Sequence, residues 1–277
     1  PDAVRRSLDV LIVDDGSPLG TEAARGIPDA LDVRRVQIAR IDEDLVWNVG
    51  GARNLAFALA TTSRVMLVDA DTVVPASIVE RIFDLNASDA SGLPVMHRFN
   101  RNLRHRLTFS PAATLLDVET YWTIGGCDED FVGHYGQTDV HFNARARALQ
   151  HARGLHIHAH KGIVLQNIEK PPPCSRVSGR ARDMCSASHA SWHEPTRDKR
   201  HNARLFKEKM GSQCWSNDFL RFSWTVRGVA DARLAADARL AADARLAVKY
   251  ADSNLVNAAT LRDKGIVAHM LAHPQRA

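Results

Sequence analysis

Two aspartates one residue apart, Asp69 and Asp71, close a short apolar run from Arg64 to Val68. If that run is a strand, side chains i and i+2 at its end point the same way. Two carboxylates on one side offer hard oxygen donors for Mg²⁺ or Mn²⁺, and a substrate diphosphate can complete the shell. An isolated Asp-x-Asp is more often a plain acidic loop. Its place directly after an apolar strand is what favours a metal site.

Other chemistry-bearing residues stand at comparable places. Asp14 and Asp15 end the run Leu8 to Val13 in an Asp-Asp-Gly-Ser turn, where a carboxylate can accept from a base N–H or a ribose hydroxyl. Arg53 follows Gly50 and Gly51 at an expected helix start. A cation there opposes the helix dipole, while the free N–H groups attract an anion such as a diphosphate. The plainer partner for Arg53 is one of Asp42, Glu43 or Asp44. Asp139 follows the glycine-bearing loop Gly133 to Thr138 and is placed to take a proton from an acceptor hydroxyl. Asp128, Glu129 and Asp130, just upstream, read as acceptor contacts or caps.

These residues need a scaffold that brings strand ends together. The run Leu8–Val13, a second at Val33–Ile38 and a third at Arg64–Val68 read as strands. Between them Ala52, Leu55, Ala56 and Leu59 recur at helical spacing, and after Pro75 so do Ile78, Ile82 and Leu85. Such alternation predicts an α/β fold with a mainly parallel sheet flanked by helices and a ligand site at the carboxyl ends of the strands. A helix is expected from about Val140, a strand carrying His156, His158 and His160 on one side, and a helix over Arg197–Lys209.

Pro171 to Pro173 open a polar segment that reads as a long surface loop. Asp231 to Leu246 repeats Asp-Ala-Arg-Leu-Ala-Ala, whose six-residue period sends the leucines to different helix faces. Residues 1–226 are therefore expected to form the working domain, and 227–277 a low-complexity helical extension. The chain of 277 residues, 45% hydrophobic, can bury a sizeable core. Its net charge of +4 is not gathered into a run, which argues against nucleic-acid binding. No stretch approaches the roughly 18 apolar residues of a membrane helix. The cytoplasm, with or without membrane association, is the expected compartment, or the Golgi lumen for a eukaryotic source. Cys185, His189 and His193 have a zinc-compatible spacing but no second cysteine pair, and Cys174, Cys185 and Cys214 could share one disulfide.

Taken in order, LIVDDGS (11–17), GGARNLA (50–56), LVDADTVVP (67–75) and IGGCDEDFVGHYGQTD (124–139) resemble family 2 glycosyltransferases and the neighbouring galactosyltransferase group with the GT-A fold. RDKRHNARLFKEK (197–209) and LRFSW (220–224) resemble the C-terminal end of a bacterial-type branch. The resemblance implies an inverting, hexosyltransferase-type enzyme that uses a nucleotide-sugar, UDP-linked by expectation, and a glycan or other hydroxyl acceptor. It places Asp14 or Asp15 at the base and ribose and Arg53 near the diphosphate. Asp69 and Asp71 serve the metal and ribose, Thr138 joins Asp128 and Glu129 at the acceptor, and Asp139 is the base.

Three departures from that pattern stand out. The family's first strand and Pro-x-Tyr-Asn-like loop are not seen before Leu8, and Thr138-Asp139 replaces Glu-Asp. A late-strand histidine often ligates the metal, for which His158 and His160 are the candidates. Two rival readings remain at this level: a nucleotidyltransferase, which should show a glycine-rich basic phosphate loop, and a degenerate protein that binds a sugar or partner without turnover.

Overall fold

The computed structural model describes residues 4, 6–17, 33–103, 106–168 and 199–228. The proline-rich loop, Cys174, Cys185, His189, His193 and the repeats over 231–246 lie outside the described residues. Among the described residues, two sheets and five helices make a mixed α/β fold. The first sheet has the order β1-β2-β8, with β1 (Asp9–Asp15) parallel to β2 (Arg35–Ile41) and β8 (Trp224–Gly228) antiparallel to it. The second has the order β3-β6-β5-β7-β4. Its strands are β3 (Arg64–Leu67), β4 (Thr72–Val73), β5 (Val95–Leu103), β6 (Arg106–Asp117) and β7 (His156–Asn167).

The parallel character expected from the sequence is confined to β1–β2 and β5–β7; the other pairings are antiparallel. The reason is local. Leu103 and Arg106 pair directly across a tight connection, and only an antiparallel hairpin can close so short a link. Among the described residues β1 pairs on one side only, with β2.

Helix α1 (Val49–Leu59) joins the two sheets. Leu55 and Phe57 on it are wholly buried, each burial contributing about 1.5–3 kcal/mol. They share one core with Ala39 and Ile41 of β2, Met96 of β5, Leu116 of β6 and Trp224 of β8. The Phe57 ring stacks on Tyr121 of α3 (Val118–Ile124) with centroids 3.6 Å apart. Helices α2 (Ala76–Phe83), α4 (Thr138–His151) and α5 (Lys199–Ser212) complete the described fold, with a 3-10 turn at Glu129–Phe131. Ile82 of α2 packs with Phe99, Leu115 and Leu165 in a smaller cluster on the second sheet.

Candidate active site

Helix α1 starts two residues before Gly51, and the cause is Asn48. Its side chain accepts from the Gly51 amide at 3.1 Å, a standard cap. Gly51 must be glycine here: a Cβ would lie 2.3 Å from Asn48 Oδ1 and 2.4 Å from the Phe222 ring. Of the N–H groups expected to attract an anion here, the Gly51 amide is therefore taken by the cap. Asn48 in turn donates its own amide to Asp15 Oδ2 at 3.2 Å, which ties the Asp-Asp turn to the helix. Asp15 is exposed, whereas Asp14 is buried and accepts from the Ser17 amide at 2.9 Å and from Arg40 at 3.3 Å.

Arg53 lies one turn further along α1, away from the helix end. Its guanidinium donates to Asp139 Oδ1 through Nη1 and reaches Asp69 Oδ1 through Nη2 at 3.5 Å. Asp42, Glu43 and Asp44 have other partners: Thr225, Ser223 and the Val46 amide. Asp69 and Asp71 do not ride on the strand, which ends at Leu67. They sit in a turn closed by the Thr72 amide on the Asp69 carbonyl at 2.9 Å. A cation gathers them all the same. Arg101 of β5 donates to Asp69 Oδ2 at 3.3 Å and to Asp71 Oδ1 at 2.7 Å, and also to Asn167 Oδ1 at the end of β7. Asp139, Arg53, Asp69, Arg101 and Asp71 thus alternate in sign, with one negative charge in excess.

Asp139 owes its position to the loop before α4. Gly136 and Gln137 both take positive φ, 95° and 68°, and this reversal starts the helix at Thr138. Asn202 of α5, fully buried, holds the loop from below by donating to the carbonyls of Phe131, His134 and Gly136. Trp47 meets Tyr135 edge-on at 4.6 Å, and its carbonyl accepts from the Gly133 amide. A carboxylate in the first turn of α4 also suits the helix dipole.

Residues 2–134 match the model of glycosyl transferase family 2. That segment, 133 of the 277 residues, is a family 2-like glycosyltransferase domain. The match supports glycosyl transfer as the general activity. A search of the curated proteins finds no match. Among the described residues no helix of this glycosyltransferase is long and apolar enough to cross a membrane.

The remaining residues singled out in the sequence fall away from the arginine–aspartate cluster. Asp128 is buried, pairs with Lys209 at 2.9 Å and accepts from the Ser216 amide. Glu129 accepts from Asn54 at 2.7 Å and from the amides of Leu220 and Arg221. Burial pushes the Glu129 carboxyl up from its ordinary value, and these donors pull the other way. Both carboxylates thereby fasten the C-terminal segment. Thr138 is buried beside Gly50, where an added Cβ would stand 3.2 Å from its methyl.

The two histidines form a separate cluster. His160 Nε2 meets His97 Nδ1 at 2.8 Å, and the His158 ring stacks on His160 at 4.2 Å. In register His160 faces Phe99, two strand positions back from Arg101 along β5. The third oxygen beside Asp69 and Asp71 comes instead from Asn167. Among the described residues no three His, Cys, Asp or Glu side chains gather for a metal.

Sequence reasoning missed Arg101, Asn167 and Asn202. Arg101 stands among other polar residues in the stretch Arg98-Phe99-Asn100-Arg101-Asn102, with no motif to mark it. Only the pairing of β5 with β7 brings it to the aspartates.

Proposed function

We propose that this glycosyltransferase moves a hexose from a UDP-linked donor to an acceptor hydroxyl with inversion at the anomeric carbon. The observation that carries the reading is the Arg53 guanidinium held between Asp139 and Asp69. It ties the proposed base to the turn assigned to the donor diphosphate. Asp139 takes the acceptor proton as the hydroxyl oxygen attacks the anomeric carbon, opposite the leaving diphosphate. Arg53 orients that carboxylate. Exposed Asp15 is the better placed of the two early aspartates to meet the base and ribose.

A divalent cation fits the donor set. Asp69 Oδ2, Asp71 Oδ1 and Asn167 Oδ1 already surround one positive group, the Arg101 guanidinium, and all three are hard oxygens. Mg²⁺ or Mn²⁺ bound there would offset the charge that develops on the leaving diphosphate. Since Asp128 and Glu129 serve the interior, acceptor contacts are assigned to the edge where Trp47 meets Tyr135 of the loop that leads into Asp139.

The test is a screen of UDP-sugars for hydrolysis and transfer with and without Mn²⁺, with the product anomer read by NMR. Inverted product from at least one donor supports the reading. Retention of configuration, or nucleotide transfer in place of sugar transfer, overturns it.

A further inference from the structure

Arg101 is a buried cation at the centre of a site that the proposed function assigns to a different cation. Only 9% of the residue is exposed, and its Nε is buried without a hydrogen-bond partner. Its Nη groups grip Asp69, Asp71 and Asn167. All its strong contacts therefore lie on the face where the three oxygens converge. A guanidinium and a divalent ion held by these same three oxygens would stand at contact distance, where two positive charges repel, so they compete for the site.

The charges couple the binding of the two ligands. Two arginines against three aspartates leave one negative charge over, so a diphosphate arriving alone meets repulsion. A divalent ion arriving alone must displace a cation already bound. When both arrive, the two added charges balance, and the released guanidinium matches phosphate oxygens with its planar fork. Neither ligand binds well first; each improves the other. Such coupling is reciprocal by necessity.

We propose that Arg101 is a place-holding cation: it competes with a divalent metal for Asp69 and Asp71 in the nucleotide-free protein, and passes to the diphosphate when donor and metal bind together. This rests on the donor reading above. Arg101 is thereby a device that keeps the metal site closed until the nucleotide-sugar is present.

The experiment titrates Mn²⁺ into the nucleotide-free full chain, with free Mn²⁺ followed by electron paramagnetic resonance. It is repeated at saturating UDP. Removing the competitor with Arg101→Gln should raise Mn²⁺ affinity without nucleotide by about fivefold, the upper end for ion pairs whose carboxylates are partly exposed. It should also shrink the factor by which UDP tightens Mn²⁺ binding. Adding Asp71→Asn to Arg101→Gln should erase the gain, which locates it. Arg101→Lys keeps the charge but loses the two-nitrogen fork that now grips Asp69 and Asp71 separately, so it should show a smaller gain; it carries the test if the glutamine variant does not fold.

Unchanged or weaker Mn²⁺ binding in these variants overturns the competition. A Mn²⁺ gain with no UDP-sugar binding at any metal concentration leaves the competition standing and removes the donor reading. Normal Mn²⁺-dependent UDP binding with no gain in the variants does the reverse.

Discussion

Arg53 of α1 donates to the Asp139 carboxylate of α4 across 86 residues of sequence, and its second nitrogen reaches Asp69. One guanidinium so fixes the distance between a carboxylate at a helix start and a turn at a strand end. If Asp139 is the base, replacing it with Asn keeps the shape and removes the basicity. Transfer should fall by about 10²–10⁴-fold while UDP binding stays close to that of the parent. Steady-state transfer rates, with UDP affinity measured by calorimetry, check this. Transfer at the parent rate would remove Asp139 from the mechanism.

Arg53 itself holds two carboxylates on two separate nitrogens of one planar fork, a geometry that the single ammonium of Lys does not reproduce. Arg53→Lys should lower kcat by about tenfold, roughly 1.4 kcal/mol of barrier, with a smaller change in KM. The same substitution made on Asp139→Asn should cost less than it does alone, because the partner it orients has gone. Additive losses in that double-mutant cycle would mean that Arg53 works independently of Asp139.

Locality decided which parts of the fold were legible in the chain. The β1 strand ending in Asp14-Asp15, the α1 run with Leu55 and Leu59, and the Asp69–Asp71 pair are all signalled by neighbours within a few residues. Strand β5 and its partner β6 were not, since Asn100, Arg101 and Asn102 give no alternation of apolar and polar residues. The pairing of β5 with both β6 and β7 holds them in place, and that is non-local information. Asp128 was legible as a cap, and it accepts from the Asp130 amide at the start of the 3-10 turn. What was not legible is that amides of Ser216, Leu220 and Arg221, some 90 residues later, also bond to Asp128 and Glu129.

Asn54 illustrates the same non-local economy and gives a stability test. Fully buried, it donates to the Cys127 carbonyl at 2.9 Å and to Glu129 at 2.7 Å. It accepts from the Tyr121 hydroxyl at 2.6 Å and from the Cys127 amide at 2.9 Å. Truncation would leave buried groups on three residues short of a partner. Asn54→Ala should therefore destabilise the fold by about 3 kcal/mol, visible as a lower urea midpoint with the slope unchanged. A loss under about 0.5 kcal/mol, the size of ordinary surface effects, would mean that the network relaxes without it.

The histidine cluster sets a pH dependence whose sign can be worked out. His97 Nε2 lies 2.7 Å from the Asn86 carbonyl, which can only accept, so that nitrogen carries a proton. A neutral His97 then accepts at Nδ1, and His160 donates to it from Nε2. Protonating both rings would set two N–H groups against each other. Burial, followed by the nearby His158, His97 and Arg81, takes His160 from 6.5 down to about 4, and burial also lowers His97. His141, buried with neither ring nitrogen hydrogen-bonded, moves the same way. Each group binds its proton more readily in the unfolded chain, so stability rises with pH across the gap. The contribution is whole above about 6.5 and is lost as pH falls from there toward about 4. Glu129, raised by burial, works in the opposite direction at the acid end, so the variant rather than the parent curve isolates the cluster. His160→Gln keeps an amide donor for His97 and removes one titrating ring. Urea midpoints measured from pH 7 to pH 5 should fall for the parent and fall less steeply for His160→Gln. Parallel curves for the two proteins would show that His160 is not held neutral by the fold.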